Sequence, residues 1–453
     1  MARAKKEAAL TPEERLQAAL VPDWERPYKL PENWCWTTVG AINQYVGISA
    51  DPTKAKNKTF ELYSVPSSAD NYPEIVLGAD IGSTKQSVKK GDVLLCKINP
   101  RINRVWKVSK YTDHSLLASS EWIVIRNSGL ISNYLMWCFR SPYFRGYMLS
   151  NVSGVGGSLM RAQPKFVQGY PVPVPPLAEQ QRIVDRIESL FAKLDEAKEK
   201  AQAVVDSFEN RKAAILHKAF TGELTAKWRE EHGVGMESWE HHQFSDLCAI
   251  VRGGSPRPAG DPRYYDGNIP FMKVADITRN DSPYVSKVEY SIKEEGLKKT
   301  RMVEANTLLL TNSGATLGVP AITTIRTTFN DGIAAFIGLD IDSLLFYYYF
   351  WTSKTAFLRS INMGAAQPNL NTKLIGEVEI DVPQTAERVE IARVLNALLS
   401  KEQQAKEAAE AVLDQIDLMK KSILARAFRG ELGTNDPSEE GAVKLLKRGL
   451  EKK

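Results

Sequence analysis

The chain has 453 residues, of which 43% are hydrophobic and 25% are charged, so it can form several folded cores and lacks the composition of a disordered protein. Its 59 Lys and Arg residues against 54 Asp and Glu residues give a net charge of +5. A charge this small does not by itself indicate nucleic acid or an anionic membrane as a partner.

The sequence also narrows the cellular compartment. It contains no apolar run of the ~18 residues that a transmembrane helix needs, and its basic N-terminus lacks the apolar core of a secretion signal. Its four cysteines show no C-x-x-C pair and no histidine at ligand spacing. These features predict a cytoplasmic protein with no membrane association, no disulfide framework and no zinc site.

A short helix is predicted in an N-terminal helical segment, residues 1–29. Thr11, Pro12 and Glu14 stand in the order of an N-cap, a first-turn proline and a capping-box glutamate. We expect this helix to help close the molecule or to contact a partner subunit.

A first globular domain is predicted over residues 30–175. Short β-prone runs at 60–67, 91–98 and 121–127 are separated by Gly, Pro, Asn and Ser, and an aromatic-rich helix candidate covers 134–149. This pattern predicts a mixed α/β fold. Between residues 37 and 176 we count 16 Lys and Arg against 8 Asp and Glu, a local charge of +8.

A long helix is predicted over residues 176–229, after Pro176 and with a stop signal at Gly222. Its apolar residues recur in steps of four and three, with Arg211 as an interruption, which predicts a coiled-coil seam. About 40 helical residues would form a rod of roughly 60 Å.

A second mixed α/β domain is predicted over residues 230–383. Its β-prone runs lie at 268–277, 306–312 and 332–339, and a helix candidate at 344–361 contains six consecutive aromatic residues, 346–351. We expect these aromatic side chains to lie in a core and not to stack on bases. Between residues 240 and 383 we count 14 basic against 16 acidic residues, a local charge of −2.

The second long helix is predicted over residues 384–432, because 382–432 repeats 174–224 without a gap at an offset of 208. About two fifths of the 51 aligned positions are identical. The apolar stepping recurs, with Glu402 as the interruption, so the chain carries an internal pseudo-two-fold repeat. In the tail, residues 433–453, Asp436, Pro437 and Glu439 predict the start of another short helix.

Polar loops in both domains supply candidate DNA contacts. Arg, Asn and Gln can make bidentate contacts with base edges, Lys contacts phosphate, and small residues allow close approach. For each single residue, an ordinary solvated loop remains an equal alternative. The candidates are Lys97, Asn99, Arg101, Asn103, Ser158, Arg161, Gln163 and Lys165 in the first domain, and Arg252, Ser255, Arg257, Asn312, Ser313, Thr316, Gln367, Asn369, Asn371 and Lys373 in the second.

The sequence contains no P-loop, no dinucleotide-binding glycine motif and no adenine methyltransferase motif. Residues 314–320 lack the Lys-Ser/Thr ending of a P-loop, and the glycines at 154–157 do not match a dinucleotide-binding motif. Asn99-Pro100 is followed by Arg101, which differs from the Asn-Pro-Pro-aromatic pocket of an adenine methyltransferase. These observations predict a binding scaffold with no catalytic residues, no metal site and no cofactor site of its own.

The architecture resembles the DNA-specificity subunits of type I restriction-modification systems. The resemblance covers nearly the whole chain, about 31–432, although Gln384 and Arg388 depart from the pattern of Pro176 and Gln180. The residues that carry it are Pro175, Pro176, Ala178, Glu179, Gln180, Ile183, Phe220, Gly222, Glu223 and Leu224, and in the second copy Pro383, Ala386, Glu387, Ile391, Phe428, Gly430, Glu431 and Leu432.

The resemblance implies two target recognition domains, one for each half of an asymmetric bipartite DNA site, on two long antiparallel helices that form a coiled-coil spacer. It implies double-stranded DNA, two adenine methyltransferase subunits and restriction/translocase subunits as partners in host defence. S-adenosylmethionine, ATP and Mg would then bind to those partners. A rod of about 60 Å would hold the two readers on the order of one to two turns of DNA apart.

Two other interpretations remain open at this point. A standalone methyltransferase or nuclease fusion would need catalytic motifs that the sequence lacks. A structural coiled-coil scaffold for protein interactions is mildly favoured by the −2 charge of the second domain.

Overall fold

The computed structural model describes residues 11–127, 129–153, 160–360 and 370–451. The chain divides into two compact units. The first unit comprises Met1–Lys200 and Val412–Lys453, and the second comprises Ala201–Ala411. Both units mix helices and sheets, and the two long helices each contribute residues to both units. The predicted mixed α/β class with long helices is therefore confirmed.

Within its described residues, the first unit contains four sheets. A five-stranded sheet has the order Ser49–Ala50, Lys85–Ser87, Ser115–Ala118, Thr59–Tyr63, Glu74–Leu77, and a three-stranded sheet has the order Val105–Lys107, Val93–Cys96, Trp122–Ile125. Two small ladders pair Cys35–Thr38 with Pro171–Val174, and Val152–Ser153 with Arg161–Ala162. The α-helices are Pro12–Ala19, Val39–Ile42, Ser132–Arg140, Pro142–Ser150, Pro164–Val167, Ala442–Glu451 and most of Leu177–Asp206.

The part of the second unit that the structure describes contains three sheets. The five-stranded sheet has the order Ala249–Arg252, Ile333–Ile337, Thr307–Thr311, Pro320–Thr323, Tyr284–Val285. The four-stranded sheet has the order Tyr290–Ile292, Tyr265–Met272, Thr327–Phe329, Arg301–Val303, and a ladder pairs Glu240–Gln243 with Glu379–Val382. The α-helices are Phe208–Phe220, Ala226–His232, Phe244–Leu247, Val274–Thr278, Glu294–Leu297, Leu344–Ser360, Thr372–Gly376 and most of Thr385–Ala427.

In each unit an equivalent antiparallel ladder pairs the first strand of the globular part with the strand that leads into the long helix. In the first unit the entering strand Cys35–Thr38 pairs with the leaving strand Pro171–Val174, and Cys35 lies opposite Val174. In the second unit Glu240 lies opposite Val382 in the equivalent ladder. Val174 and Val382 are separated by the repeat offset of 208, so the sequence repeat corresponds to a structural repeat.

The predicted aromatic run lies in the core of the second unit. Helix Leu344–Ser360 buries Phe346, Tyr347 and Trp351, and the ring centroids of Phe336 and Trp351 are 5.3 Å apart. These side chains belong to an apolar cluster with Leu308, Leu310, Ile391 and Leu395. The expectation of a core role is confirmed.

Two predicted helices are interrupted. The 134–149 candidate forms Ser132–Arg140 and Pro142–Ser150, because Ser141 ends the first helix and caps the second at a proline. The first long helix ends at Asp206, and a new helix begins at Phe208. At the break the Ser207 hydroxyl donates to the carbonyl oxygens of Ala203 and Val204, an i−4 type of contact that bends helices.

The long helices run antiparallel inside each unit. In the first unit Asp195 of the first long helix pairs with Lys420 of the second. Arg182, which is thirteen residues before Asp195, donates to the backbone oxygen of Thr434, which lies after Lys420. In the second unit, Lys406 lies over the Phe208 ring at 4.9 Å, and residue 211 contacts residue 402. In both units the residue numbers rise along one segment while those of its contact partners fall, as expected for antiparallel helices.

The two interruptions of the apolar seam pair with each other. Arg211 Nε lies 2.6 Å from Glu402 Oε2, with side chains 33% and 25% exposed. At the equivalent positions of the repeat the first unit has Leu194 and Met419. A polar pair in an apolar seam fixes register at a cost in stability.

The seam pair gives a reciprocal prediction. Arg211→Met combined with Glu402→Leu, which copies the first unit, should leave stability unchanged or raise it by about 1–4 kcal/mol, whereas each single change should lower it by about 1–2 kcal/mol because one half-buried charge is left unpaired. Urea denaturation of the three variants measures this. A double variant as unstable as the sum of the single variants would contradict it.

The predicted terminal helices pack together in the first unit. Thr11 caps Pro12–Ala19 with the expected capping box to Glu14, and Glu13 forms an ion pair of 2.8 Å with Lys447 in the tail helix Ala442–Glu451. The predicted helix start at Asp436 is wrong. The Asp436 carboxylate accepts bonds from Ser438 in a turn, and Glu439 pairs with Arg182 at 2.7 Å, so neither residue caps a helix.

Candidate nucleic-acid interface

The first unit brings two of its predicted loops together. Asn99 N donates to Met160 O, and Ala162 N donates to Lys97 O, both at 2.8 Å, while Ile98 and Arg161 form an isolated bridge. Residues that are about 60 positions apart in the sequence therefore form one polar surface at the end of strand Val93–Cys96.

The backbone of the first loop turns sharply at two asparagines. Asn99 and Asn103 have φ of 46° and 52°, a left-handed conformation that asparagine tolerates better than most residues, and they flank the turn Pro100–Ile102. Asn103 Nδ2 donates to Arg140 O at 3.0 Å, so its amide holds the turn in place. Arg101 is exposed at the top of this turn.

The second loop of the first unit carries its basic groups at the surface. Arg161 is paired with Glu121 at 3.3 Å, and Lys165 is exposed beside the Phe166 ring. Gln163 precedes the short helix Pro164–Val167 as its N-cap residue. Ser158 lies outside the described residues.

In the second unit a single residue, Asp331, contacts three predicted residues, two through its carboxylate and one through its backbone oxygen. Ser255 Oγ donates to Asp331 Oδ1 at 2.7 Å, and Arg257 Nη2 lies 3.4 Å from Asp331 Oδ2. Arg252 Nε donates to the backbone oxygen of Asp331 at 2.7 Å. Asp331 lies in the turn between strands Thr327–Phe329 and Ile333–Ile337.

The same turn contacts the next predicted loop. Asn312 N donates to Gly332 O at 2.9 Å, and Asn312 O accepts from Leu370 N at 2.7 Å. The Asn312 side chain is fully buried, which corrects the prediction of an exposed loop residue, because strand Thr307–Thr311 continues into the core at this point. Ser313 is half-buried and Thr316 is exposed.

The last predicted group is partly structural. Asn371 Oδ1 accepts from Leu374 N at 2.8 Å and so caps helix Thr372–Gly376. Lys373 is exposed on this helix and pairs with Glu377 at 3.6 Å. Gln367 and Asn369 lie outside the described residues.

Charged and aromatic side chains surround a pocket of about 270 Å³ in the second unit. Its lining includes Ser255, Arg257, Lys273, Tyr290 and Asp331. Burial alone would raise the pKa of Asp331, but the Ser255 hydrogen bond, its own backbone and the charges of Arg257 and Arg252 outweigh it and lower the pKa below its usual value. Asp331 is therefore an anion at neutral pH, with cationic side chains around it.

Asp331 was missed in the sequence, although a signal was present. Asn330, Asp331 and Gly332 form an Asn-Asp-Gly turn immediately before a β-prone run. The turn predicts a sharp reversal but not which loops will pack against it. Only the strand pairing brings residues 252 and 331 together.

In each unit one buried carboxylate of the long helix binds the start of the globular domain, and the two carboxylates occupy equivalent positions of the repeat. Glu179 and Glu387 are buried and separated by the repeat offset of 208. Trp34 Nε1 donates to Glu179 at 2.7 Å, and Trp239 Nε1 donates to Glu387 at 3.0 Å. The repeat thus preserves a contact between the start of each domain and the start of each helix.

The remaining partners of the two carboxylates differ. Glu387 binds Arg229 Nη1 at 2.6 Å and Thr225 Oγ1 at 2.7 Å, which makes a buried ion pair. Glu179 instead accepts from two neutral groups of the tail, Asn435 Nδ2 at 2.8 Å and Thr434 Oγ1 at 3.3 Å.

The described ranges hold neither a metal-binding cluster nor a membrane-spanning helix. No group of three or more His, Cys, Asp or Glu side chains there is arranged to hold a metal ion. Within the same residues, every helix is too short or too polar to cross a membrane.

Two mixed α/β units, each with polar surface loops and an antiparallel pair of long-helix segments, define the class of fold. The family comparison specifies the class. Residues 47–205 and 236–411 match the type I restriction modification DNA specificity domain. The match covers well over half of the chain, so the chain belongs to this family and is a specificity subunit, not one of the catalytic subunits.

Relatives with assigned roles agree. The chain is 25% identical over 312 residues to the type I restriction enzyme StySPI specificity subunit of Salmonella potsdam, across 66% of this chain and 65% of that relative. It is 21% identical over 432 residues to the EcoKI specificity subunit of Escherichia coli strain K12, across 89% of this chain and 90% of that protein.

A solved structure shows the same fold. The HsdS subunit from Thermoanaerobacter tengcongensis matches with a TM-score of 0.67 at 21% sequence identity, over 90% of this chain and 100% of that one. The predicted architecture of two domains with long antiparallel helices is confirmed by this likeness.

Proposed function

We propose that the chain reads an asymmetric bipartite DNA sequence, with one recognition domain per half-site. The first domain, 30–175, would use Lys97, Asn99, Arg101, Arg161, Gln163 and Lys165. The second domain, 230–383, would use Arg252, Ser255, Arg257, Ser313, Thr316 and Lys373. Ser158, Gln367 and Asn369 lie outside the described residues and remain predictions from the sequence. Asn103 and Asn371 hold the backbone of their loops, and the Asn312 side chain is buried without a hydrogen-bond partner in the part of the chain that the structure describes, so these three are not assigned to DNA contacts.

One observation carries this proposal. In each unit, side chains suited to bases and phosphates converge from distant sequence positions onto one loop surface, through backbone bonds in the first unit and through Asp331 in the second. Because the backbone of each loop surface is fixed, its arginine and asparagine side chains are held in place for contacts with bases. This favours DNA binding over an ordinary solvated loop. The +8 charge between residues 37 and 176 adds phosphate attraction.

We further propose that methyltransferase subunits dock on this chain and that restriction subunits join through them, as the relatives' names as type I enzyme subunits suggest. S-adenosylmethionine, ATP and Mg would bind to those subunits. Two long helices with a repeated sequence offer two similar docking faces, which suits two copies of one partner.

The test combines this chain with a type I methyltransferase subunit and maps adenine methylation across a host genome. One bipartite motif with two different halves is expected. Methylation by the chain without the methyltransferase subunit would contradict the proposal, and so would the absence of any methylated sequence motif.

Two variants then separate the halves. Arg257→Ala should relax one position of one half-site by about 1–3 kcal/mol of discrimination. Lys165→Ala should weaken binding to all sequences and reduce the salt slope of log K by about one, because a lysine neutralises a phosphate. Equal loss at both half-sites for either variant would contradict the division into two readers.

A further inference from the structure

We infer that Arg257 reads a guanine of the second half-site and that Asp331 is the positioning residue that aims it. The inference rests on the proposed function and adds to it the base and the supporting residue.

The Arg257 side chain has the exposure and the free donors that base reading needs. It is 72% exposed, and a single nitrogen, Nη2, lies near the carboxylate of Asp331 at 3.4 Å. A guanidinium has five N–H donors in a planar fork, so the remaining donors are available to a ligand. Guanine, with its O6 and N7 acceptors side by side, is the base edge that matches this fork.

Asp331 restricts the directions that this fork can take. A free arginine side chain has four rotatable bonds and loses about 2 kcal/mol of entropy when it is fixed. A carboxylate on one edge of the guanidinium removes part of that loss before DNA binds. Because Asp331 also accepts from Ser255 Oγ at 2.7 Å, its own rotamer is fixed by the loop that carries Arg257.

Backbone hydrogen bonds hold the loop that carries Arg257 against the turn that contains Asp331. Gly253 N donates to Ile333 O at 3.0 Å, and Gly254 N donates to Phe329 O at 3.1 Å. A Cβ at Gly253 would lie 2.3 Å from Asn330 O, and one at Gly254 would lie 2.3 Å from Lys299 O, so only glycine permits this contact. The backbone of the Arg257 loop is therefore fastened to both sides of the turn that holds Asp331.

The shape of the site suits one base edge. Arg257 lines a pocket of about 270 Å³ together with Lys273, whose Nζ lies over the Tyr290 ring at 3.1 Å. The carboxylates of Asp266 and Asp331 line the same pocket, so the two cations are balanced by two anions. The preference for guanine over adenine or cytosine therefore rests on the match between the Arg257 fork and the O6 and N7 acceptors, because the other two bases present an amino group on this edge.

Arg252 provides a control within the site. Its Nε donates to the backbone oxygen of Asp331, which no side-chain substitution removes. Asp331→Asn should therefore change the contacts of Arg257 and Ser255 and leave the Arg252 contact in place.

The experiment measures base preference at every position for the wild type, Asp331→Asn, Arg257→Ala and the double variant, assembled with the methyltransferase subunit. Arg257→Ala should reduce the preference for guanine at one position of the second half-site by about 10- to 100-fold. Asp331→Asn should reduce it at the same position by about 5- to 20-fold, and in the Arg257→Ala background it should have no further effect. The first half-site should not change.

A matched control removes another exposed carboxylate of the same unit. Glu304 pairs with Arg326 at 3.0 Å, and their side chains are 74% and 65% exposed. Glu304→Gln should leave both half-sites unaltered.

Three outcomes would overturn the inference. They are that Asp331→Asn leaves the guanine preference intact, that its effect adds to that of Arg257→Ala, or that it weakens both half-sites together as a folding defect does. In each case a wild-type bipartite motif would leave the proposed function standing. Absence of any motif for the wild type would remove both.

Discussion

Glutamine at position 387 is expected to lower the free energy of unfolding of the second unit by about 3–5 kcal/mol. The Glu387 carboxylate is 1% exposed and binds Arg229, Thr225 and Trp239 within 3.0 Å. Loss of its charge leaves Arg229, 9% exposed at its side chain, as a buried cation without its counter-ion. Removal of one partner of a buried pair costs far more than the pair contributes, because the other charge cannot be solvated.

The repeat supplies the control for this variant. Glu179→Gln should cost only about 1–2 kcal/mol, because the partners of Glu179 are the neutral donors Trp34, Thr434 and Asn435. Urea denaturation measures the totals, and hydrogen exchange assigns each loss to one unit. Equal losses for the two variants would show that Arg229 does not act as the counter-ion of Glu387.

Alanine at position 446 is expected to destabilise the first unit by about 2–4 kcal/mol. Leu446 is 4% exposed in the tail helix and belongs to the same apolar cluster as Leu16 and Phe428. Its truncation leaves a cavity between the tail helix and the N-terminal helix, so both helices should exchange amide hydrogens faster.

Val443 on the same helix is the matched control, since it is 39% exposed. Val443→Ala should be neutral or slightly stabilising, because alanine has the higher helix propensity. Hydrogen exchange in Pro12–Ala19 measures whether the loss at Leu446 spreads to the N-terminal helix. Unchanged exchange there would show that the two terminal helices are energetically independent.

Local patterns in the sequence predicted most of the elements. Strands Val93–Cys96 and Ile333–Ile337 lie inside β-prone runs, and helix Thr385–Ala427 follows from its heptad stepping. The breaks at Ser207 and Ser141 were not predicted, because each depends on which carbonyls or amides a serine hydroxyl bonds within an otherwise helical pattern. Asp436 gave a helix-start pattern, but its carboxylate forms a turn with Ser438 instead.

The candidate site was predicted less completely than the fold. Composition correctly favoured the loops that contain Arg101 and Arg257 as exposed polar segments. It could not show that Asn312 is buried or that Asn103 bonds to Arg140, since both facts depend on residues distant in sequence.

The sequence by itself determined the repeat, its 208-residue offset and the pairing of two mixed domains with two long helices, because hydrophobic periodicity and self-similarity are local or linear properties. Only the tertiary structure decided that Arg211 meets Glu402, that Glu387 has a cationic partner while Glu179 has none among its hydrogen bonds, and that Asp331 gathers Ser255 and Arg257. Ion pairs and shared acceptors arise where strand register and helix packing bring separate segments within about 3 Å, a range over which linear spacing carries no information.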